Sequence, residues 1–374
     1  MKTNRAVCHI TAYLHRNISK EVMDSLKEKG VKDLYLRSAR SLVIEMKKGL
    51  LSFMPRRDLA SDPLDIISFL VKPEMADPLS SLIIEKGHLY FPGRGSVVIE
   101  EVTLLGYHEL YDAYEIQPFE VNPPPVHLHP CTAVCCIVPR GRGDSVARIA
   151  LDTGTCVPTI HFGTGTGIRD KMGLLRITIP AEKEIIHVYT TPHESELIME
   201  MMIDAGRLDQ PGSGFIYSYP VMKGLLNMRV ARGERYQAAS IEQVVTTLDH
   251  MKGSTEWRHR RNIIEKRSGR RKRYIRDLVD LVLLCDGGTG PRLVKEAMSV
   301  GAGGSTIAGL KLIHSGNPLP DEISPIRDEC SITIPEGMKE ILIETLEKAG
   351  AFSERYHGQI HQRKIYSAFT YLVK

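Results

Sequence analysis

The 374-residue sequence contains no apolar run near the roughly 18 residues of a membrane span. Its start, MKTNRAVCHITAY, lacks the apolar stretch and small-residue cleavage site of an export signal, so a cytoplasmic location is expected. The seven cysteines are an odd number without such a signal, and they read as reduced thiols rather than a disulfide framework. Aromatic residues make up only 6%, with one tryptophan and no RGFGFV-like strand, which argues against an RNA-reading sheet. Ser/His/Asp order, paired carboxylate motifs and HExxH are all missing, so the sequence gives no support for an enzyme.

Net charge is also small over most of the chain. Residues 258–276 hold ten Lys/Arg and one acid, Glu265, against a total of +4, so the remainder carries −5. The body is mildly acidic, with one basic insert. Nucleic acid is therefore not the expected partner of the fold as a whole. The insert itself reads as a solvated linker or helix face, with contact to nucleic acid or an anionic membrane surface as the alternative.

What the chain does contain is repetition. Three short strands end at Pro73, Pro192 and Pro335, and the helical stretches after them end at Gly87, Gly206 and Gly350, 14, 14 and 15 residues on. β-branched residues suit the strand, proline ends it, and glycine is expected to cap the helix. Eight residues later stand Gly95, Gly214 and Gly358, each before another strand candidate. Upstream of each copy lies strand, helix and strand, the helices ending at Gly30, Gly154 and Gly301. The unit is β-α-β, a variable loop, then β-α-β, so the fold class expected is α+β, as three tandem ferredoxin-like modules. Modules are predicted over residues 1–105, 131–235 and 275–374. A Pro-rich linker spans 106–130, and a helical and basic linker spans 236–274.

These residues carry a resemblance. Module two resembles the nitrogen-regulatory P-II signalling family in the run Gly163-Thr-Gly165-Thr-Gly167-Ile-Arg169, where that family roots its ligand-sensing loop. It is also similar at Gly212-Ser213-Gly214, placed like the family's second phosphate loop, and at MRVARGER, with Arg229 and Arg232 nearest to the family's arginines. Thr159 matches a base-contacting position, and Thr306 is its counterpart in module three. The family's lysine after the second phosphate-loop glycine is Ser96, Phe215 or Gln359 here, which removes a charge-assisted contact. Family members are trimers with ligands in the clefts between subunits. The resemblance therefore implies an intramolecular pseudo-trimer, monomeric in solution, that senses a small anionic metabolite. It implies an adenine nucleotide (ATP, ADP or AMP) as ligand and a nitrogen-metabolism enzyme or transporter as target.

Chemistry fits that ligand class. Glycines let backbone N–H groups converge on an anion, and arginines add bidentate contacts. Two alternatives stay open: a scaffold with degenerate ligand sites, or a metal-binding protein similar to the CutA group. His127, His129, Cys131, Cys135 and Cys136 cluster in sequence, but neighbouring strand residues face opposite ways. They read as buried thiols and surface histidines, and no metal site is assigned.

Overall fold

The computed structural model describes residues 2–47, 56–108, 116, 119, 126–167, 181–229, 231–232, 272–315 and 323–372. Most of both predicted linkers, including 258–271 of the basic insert, lies outside the described residues, as does Arg169. The structure is α+β. A first set comprises β1 (Lys2–His15), α1 (Arg16–Glu28), β2 (Asp33–Lys47), β3 (Arg56–Val71), α2 (Pro73–Gly87) and β4 (Gly95–Tyr107). A second comprises β5 (His129–Pro139), α3 (Gly143–Asp152), β6 (Thr159–Gly167), β7 (Glu182–Thr190), α4 (Ser195–Gly206) and β8 (Phe215–Leu225), followed by β9 (Ala231–Arg232). A third comprises β10 (Leu278–Asp286), α5 (Gly290–Ser299), β11 (Gly304–His314), β12 (Ile326–Pro335), α6 (Lys339–Lys348) and β13 (Gln359–Lys364), followed by β14 (Ser367–Thr370). Among the described residues no helix is long and apolar enough to cross a membrane.

Each set builds the same antiparallel sheet. The first strand lies between the third and fourth, and the second pairs with the third. The register repeats too: Leu14 faces Asp65, Val138 faces Glu184 and Cys285 faces Asp328. These three acids anchor the helix that follows the first strand. Glu184 Oε2 accepts from the Gly141 and Gly143 N–H groups at 2.8 and 2.7 Å, and Asp328 Oδ2 from Gly288 and Gly290 at 2.9 and 3.0 Å. Asp65 accepts from Ser19 Oγ at 2.6 Å. A carboxylate there satisfies orphan amides and favours the positive helix end.

Alternation along the strands decides what each face buries. Ile10, Ala12 and Leu14 of β1 pack with Val22 and Leu26 of α1 and Leu79 and Ile83 of α2. Val134, Cys136 and Val138 meet α3 and α4 in the same way, and Leu281, Leu283 and Cys285 meet α5 and α6. Cys135 and Cys136 thus point to opposite faces, as the strand reading required. The other face of every sheet turns inward, onto the other two sets.

Inward-facing edges close on one another. β2 pairs with β6, β6 with β11 and β11 with β2. The last strands form a second ring of contacts: β13 pairs with β4, β4 with β8 and β8 with β14. An open four-stranded sheet would leave two edges with unmet N–H and C=O groups, and here the neighbours meet them.

One sequence expectation is corrected. Gly87 and Gly206 do not cap their helices: the left-handed residues are His88 and Arg207, both at φ 50°. The glycines sit in the last helical turn because a Cβ on them would lie 2.9 Å from Leu89 Cδ2 and 3.1 Å from Leu208 Cδ2. Close packing against Leu89 and Leu208, not a positive φ, is what favours glycine at these two positions.

Candidate functional site: the clefts between sets and the polar centre

The ring of last strands creates three equivalent clefts. In each, the turn before one set's final strand meets the chain leaving the final strand of another. The pairings Leu225 with Val97, Thr370 with Phe215 and Tyr107 with Gln359 mark them. Residues Asn227, Tyr371 and His108 therefore come just past corresponding rungs.

The first cleft brings Arg229 of set two against the Gly93-Arg94-Gly95 turn of set one. Asn227 organises it: its Oδ1 accepts from Gly93 N–H and Arg229 N–H, both at 3.1 Å, and its own N–H donates to Ser96 Oγ at 2.8 Å. A Cβ on Gly93 would stand 3.2 Å from Arg229 Cδ, so glycine lets the arginine lie flat on the turn. A space of about 60 Å³ opens there, also lined by His15, Ser41, Asp62 and Arg94. β9 then runs parallel to β2, placing the Arg232 backbone beside Glu45.

The second cleft holds Gly212, Ser213 and Gly214, which the sequence reading grouped with Arg229. The structure separates them. β14 lies along β8 here, and Thr370 Oγ1 donates to Gly214 O at 2.9 Å. Ser213 Oγ accepts from Arg142 Nη1 at 3.3 Å. Gly163, Gly165 and Gly167 are rungs of β6, opposite Lys183, Thr306 and Gly304 respectively. The Gly165 N–H already donates to Ala181 O at 2.7 Å. Gly163 serves close approach between sets, since a Cβ there would lie 2.9 Å from Ile307 O, whereas a Cβ on Gly165 would meet the Lys183 side chain of its own set. Thr159 is buried opposite His187 and Ser41, and Thr306 faces the centre of the ring.

The third cleft contains His108, Glu354 and His357. His108 Nε2 is 3.3 Å from Glu354 Oε1, and His357 Nε2 is 3.2 Å from Glu354 Oε2. No sequence motif marks this group as a unit. An E-x-x-H spacing at 354–357 was its only local trace, and nothing in the sequence joins it to a histidine some 250 residues earlier. The histidines that the reading did consider, His127 and His129, are exposed, while Cys131, Cys135 and Cys136 are buried.

At the centre the three inward faces line a space of about 70 Å³. Buried around it are His9, Glu100, His161, Asp280 and His361, with Arg37, Arg363 and Glu329. Burial, with Arg363 nearby, pushes His9 and His187 down to about 3; burial with Arg37 nearby holds His161, and burial with His9 and Arg363 nearby holds His361, well below the usual histidine range. Burial also raises Glu100 and Asp280, with Arg363 opposing it in both. Glu329 goes the other way: burial lifts it, but Arg37, 2.6 Å distant, outweighs the lift and holds it low. Both ring nitrogens of His361 lack a hydrogen-bond partner among the described residues.

No protein-family model matches the chain, and no curated protein matches it.

Proposed function

We propose that the chain is a non-catalytic, P-II-like signalling protein: three ferredoxin-like modules fused into a pseudo-trimer that senses a small anionic metabolite. The observation that carries this reading is the first cleft, where Arg229 and Arg94 flank the Gly93 turn. Two guanidiniums beside the turn glycines Gly93 and Gly95 suit the phosphates of an adenine nucleotide. The ligand site thus joins residues of two modules, as the resemblance to a family with intersubunit clefts implies. Binding there would bias the β2–β3 hairpin beside the cleft, which would present itself to a target enzyme or transporter of nitrogen metabolism.

Calorimetric titration of the full chain with ATP, ADP and AMP, with and without 2-oxoglutarate, tests the reading. Binding of one nucleotide that Arg229→Ala weakens at least tenfold is the expected result. Silence toward all of them overturns nucleotide sensing. Light scattering should give a monomer of 41.9 kDa. An obligate trimer of chains would be incompatible with the pseudo-trimer.

A further inference from the structure

We propose that His108, Glu354 and His357 form a binding site for a divalent transition metal, with zinc as the cation of matching chemistry. The proposal stands on the third cleft's geometry alone and is independent of nucleotide binding in the first.

The three donor groups come from two places that the sheet locks together. His108 follows the last residue of β4, and Tyr107 pairs with Gln359 at the start of β13. The His108 N–H donates to Gly358 O at 2.8 Å. His108 thereby sits next to the loop carrying Glu354 and His357, and the donor atoms all lie within 4.8 Å of one another. Ligands held about 2.0–2.1 Å from a tetrahedral zinc stand roughly 3.3 Å apart. The carboxylate–imidazole separations are of that size: His108 Nε2 lies 3.3 Å from Glu354 Oε1, and His357 Nε2 lies 3.2 Å from Oε2 of the same carboxylate.

His357 is held as a metal-binding histidine is held. Its Nδ1 lies 2.7 Å from Asp286 Oδ2, which places the ring proton on Nδ1 and turns the Nε2 lone pair toward Glu354. Asp286 is fixed in turn by Arg327, which is fully buried and pairs with its other oxygen. The same guanidinium donates to the His357 carbonyl. That grip matters because His357 sits at φ 42°, a left-handed conformation that a non-glycine residue keeps only when its surroundings impose it. The chain uses a buried arginine and aspartate to aim one imidazole.

The ring of His357 lies between two carboxylates, Asp286 on Nδ1 and Glu354 on Nε2. A neutral imidazole has one N–H and can satisfy only one of them. A divalent cation between Nε2 and Glu354 accepts both remaining lone pairs and offsets the second negative charge. Both imidazoles are buried, at 6% and 2% exposure, whereas the Glu354 side chain is 74% exposed. This leaves an entry path and room for a solvent ligand. Two nitrogens and one carboxylate select zinc-like ions over calcium or magnesium, which take all-oxygen shells. The corresponding residue of the first cleft is Asn227, whose side chain is spent on backbone amides, so the donor set belongs to the third cleft.

The test uses the full chain after dialysis against a chelator. Calorimetric titration with Zn²⁺, and with Co²⁺ followed by its visible absorption, should show one site per chain with a low-coordinate cobalt spectrum. Glu354→Gln, an exposed change that spares the fold, should weaken binding at least tenfold. Asp286→Asn should cost about 10–100-fold, the range for outer-shell partners. The double variant His108→Ala/His357→Ala should abolish the site, with circular dichroism reporting that the fold persists. Absence of Zn²⁺ and Co²⁺ binding by the unaltered chain would overturn the proposal. So would wild-type affinity in Glu354→Gln together with loss on His127→Ala, which would move the metal to the surface histidines.

Discussion

The guanidinium of Arg363 lies over the ring of Tyr219, 4.6 Å from its centroid, while its Nε stands 3.5 Å from Glu100. The three residues occupy one repeated position. Glu100 faces His9 across its sheet, Tyr219 faces Ala133 and Arg363 faces Asp280, each at the corresponding rung. Three identical chains would place three glutamates, or three arginines, around that centre. One chain with diverged sets can place one of each, and charge then attracts where symmetry would have made it repel.

Removing the cation should therefore be costly. Arg363→Met leaves Glu100 and Asp280 buried without their shared counter-charge, a loss of about 3–5 kcal/mol by analogy with broken buried pairs. Adding Glu100→Gln and Asp280→Asn to that variant should restore part of the loss. Urea unfolding midpoints of the three proteins measure it, and unchanged stability in Arg363→Met would contradict the network.

Acid should destabilise the fold well before its carboxylates titrate in the unfolded chain. His9, His161, His187 and His361 are kept neutral by burial, while an unfolded histidine takes its proton near 6.5. The unfolded state binds more protons below that value, so the contribution is complete above about pH 6.5 and falls as pH drops toward about 3. Each additional proton taken up on unfolding gives a slope of about 1.4 kcal/mol per pH unit. Glu100 and Asp280, raised by burial, act oppositely at the acidic end: their destabilisation eases as they protonate. Unfolding midpoints between pH 7.5 and pH 5 should fall steadily, and His361→Asn should flatten the slope.

The cysteines should be silent in the native protein. All seven are free and buried, and burial pushes Cys131, Cys135 and Cys156 up to about 12. A thiol-disulfide reagent at neutral pH should label almost none of them until denaturant is added, and then all seven. Rapid native labelling of Cys131, the one nearest an exposed segment, would show that the start of β5 opens readily.

Two glycine substitutions should separate by several kcal/mol. Gly214 has φ 141°, and a Cβ there would lie 2.2 Å from Ile137 O. Gly214→Ala should destabilise by about 3 kcal/mol or more, from strain and backbone displacement combined. Gly309, on β11, has nothing within 4 Å of such a Cβ. Gly309→Ala should change stability by less than about 0.5 kcal/mol. Thermal melts of both variants check the contrast.

The element order was legible because local rules govern it. β-branched runs stopped by Pro73 and Pro192, and a glycine pair at fixed spacing, mark each strand and helix. Strand alternation likewise placed Cys135 and Cys136 on opposite faces. The clefts were not legible, because strand pairing between sets decides them. Arg229 and Gly212–Gly214 read as contributors to one ligand site of module two, yet pairing of β8 with β4 carries Arg229 to Gly93. The roles of Gly87 and Gly206 were obscured in the same way. A glycine at a helix end reads as a cap, and only the positions of Leu89 and Leu208 reveal a packing requirement.

The ring of last strands also imposes an order in time. β8 can pair with β4 as soon as both exist, but its 215–218 stretch finds its partner in β14; Ser218 and Ser367, which share a 3.1 Å hydrogen bond, are 149 residues apart. During synthesis that half of the β8 edge leaves the ribosome unsheltered and stays so until the third set has been translated. The first two sets therefore stay open to mispairing along this edge until the third is made, and the short β14 strand closes it.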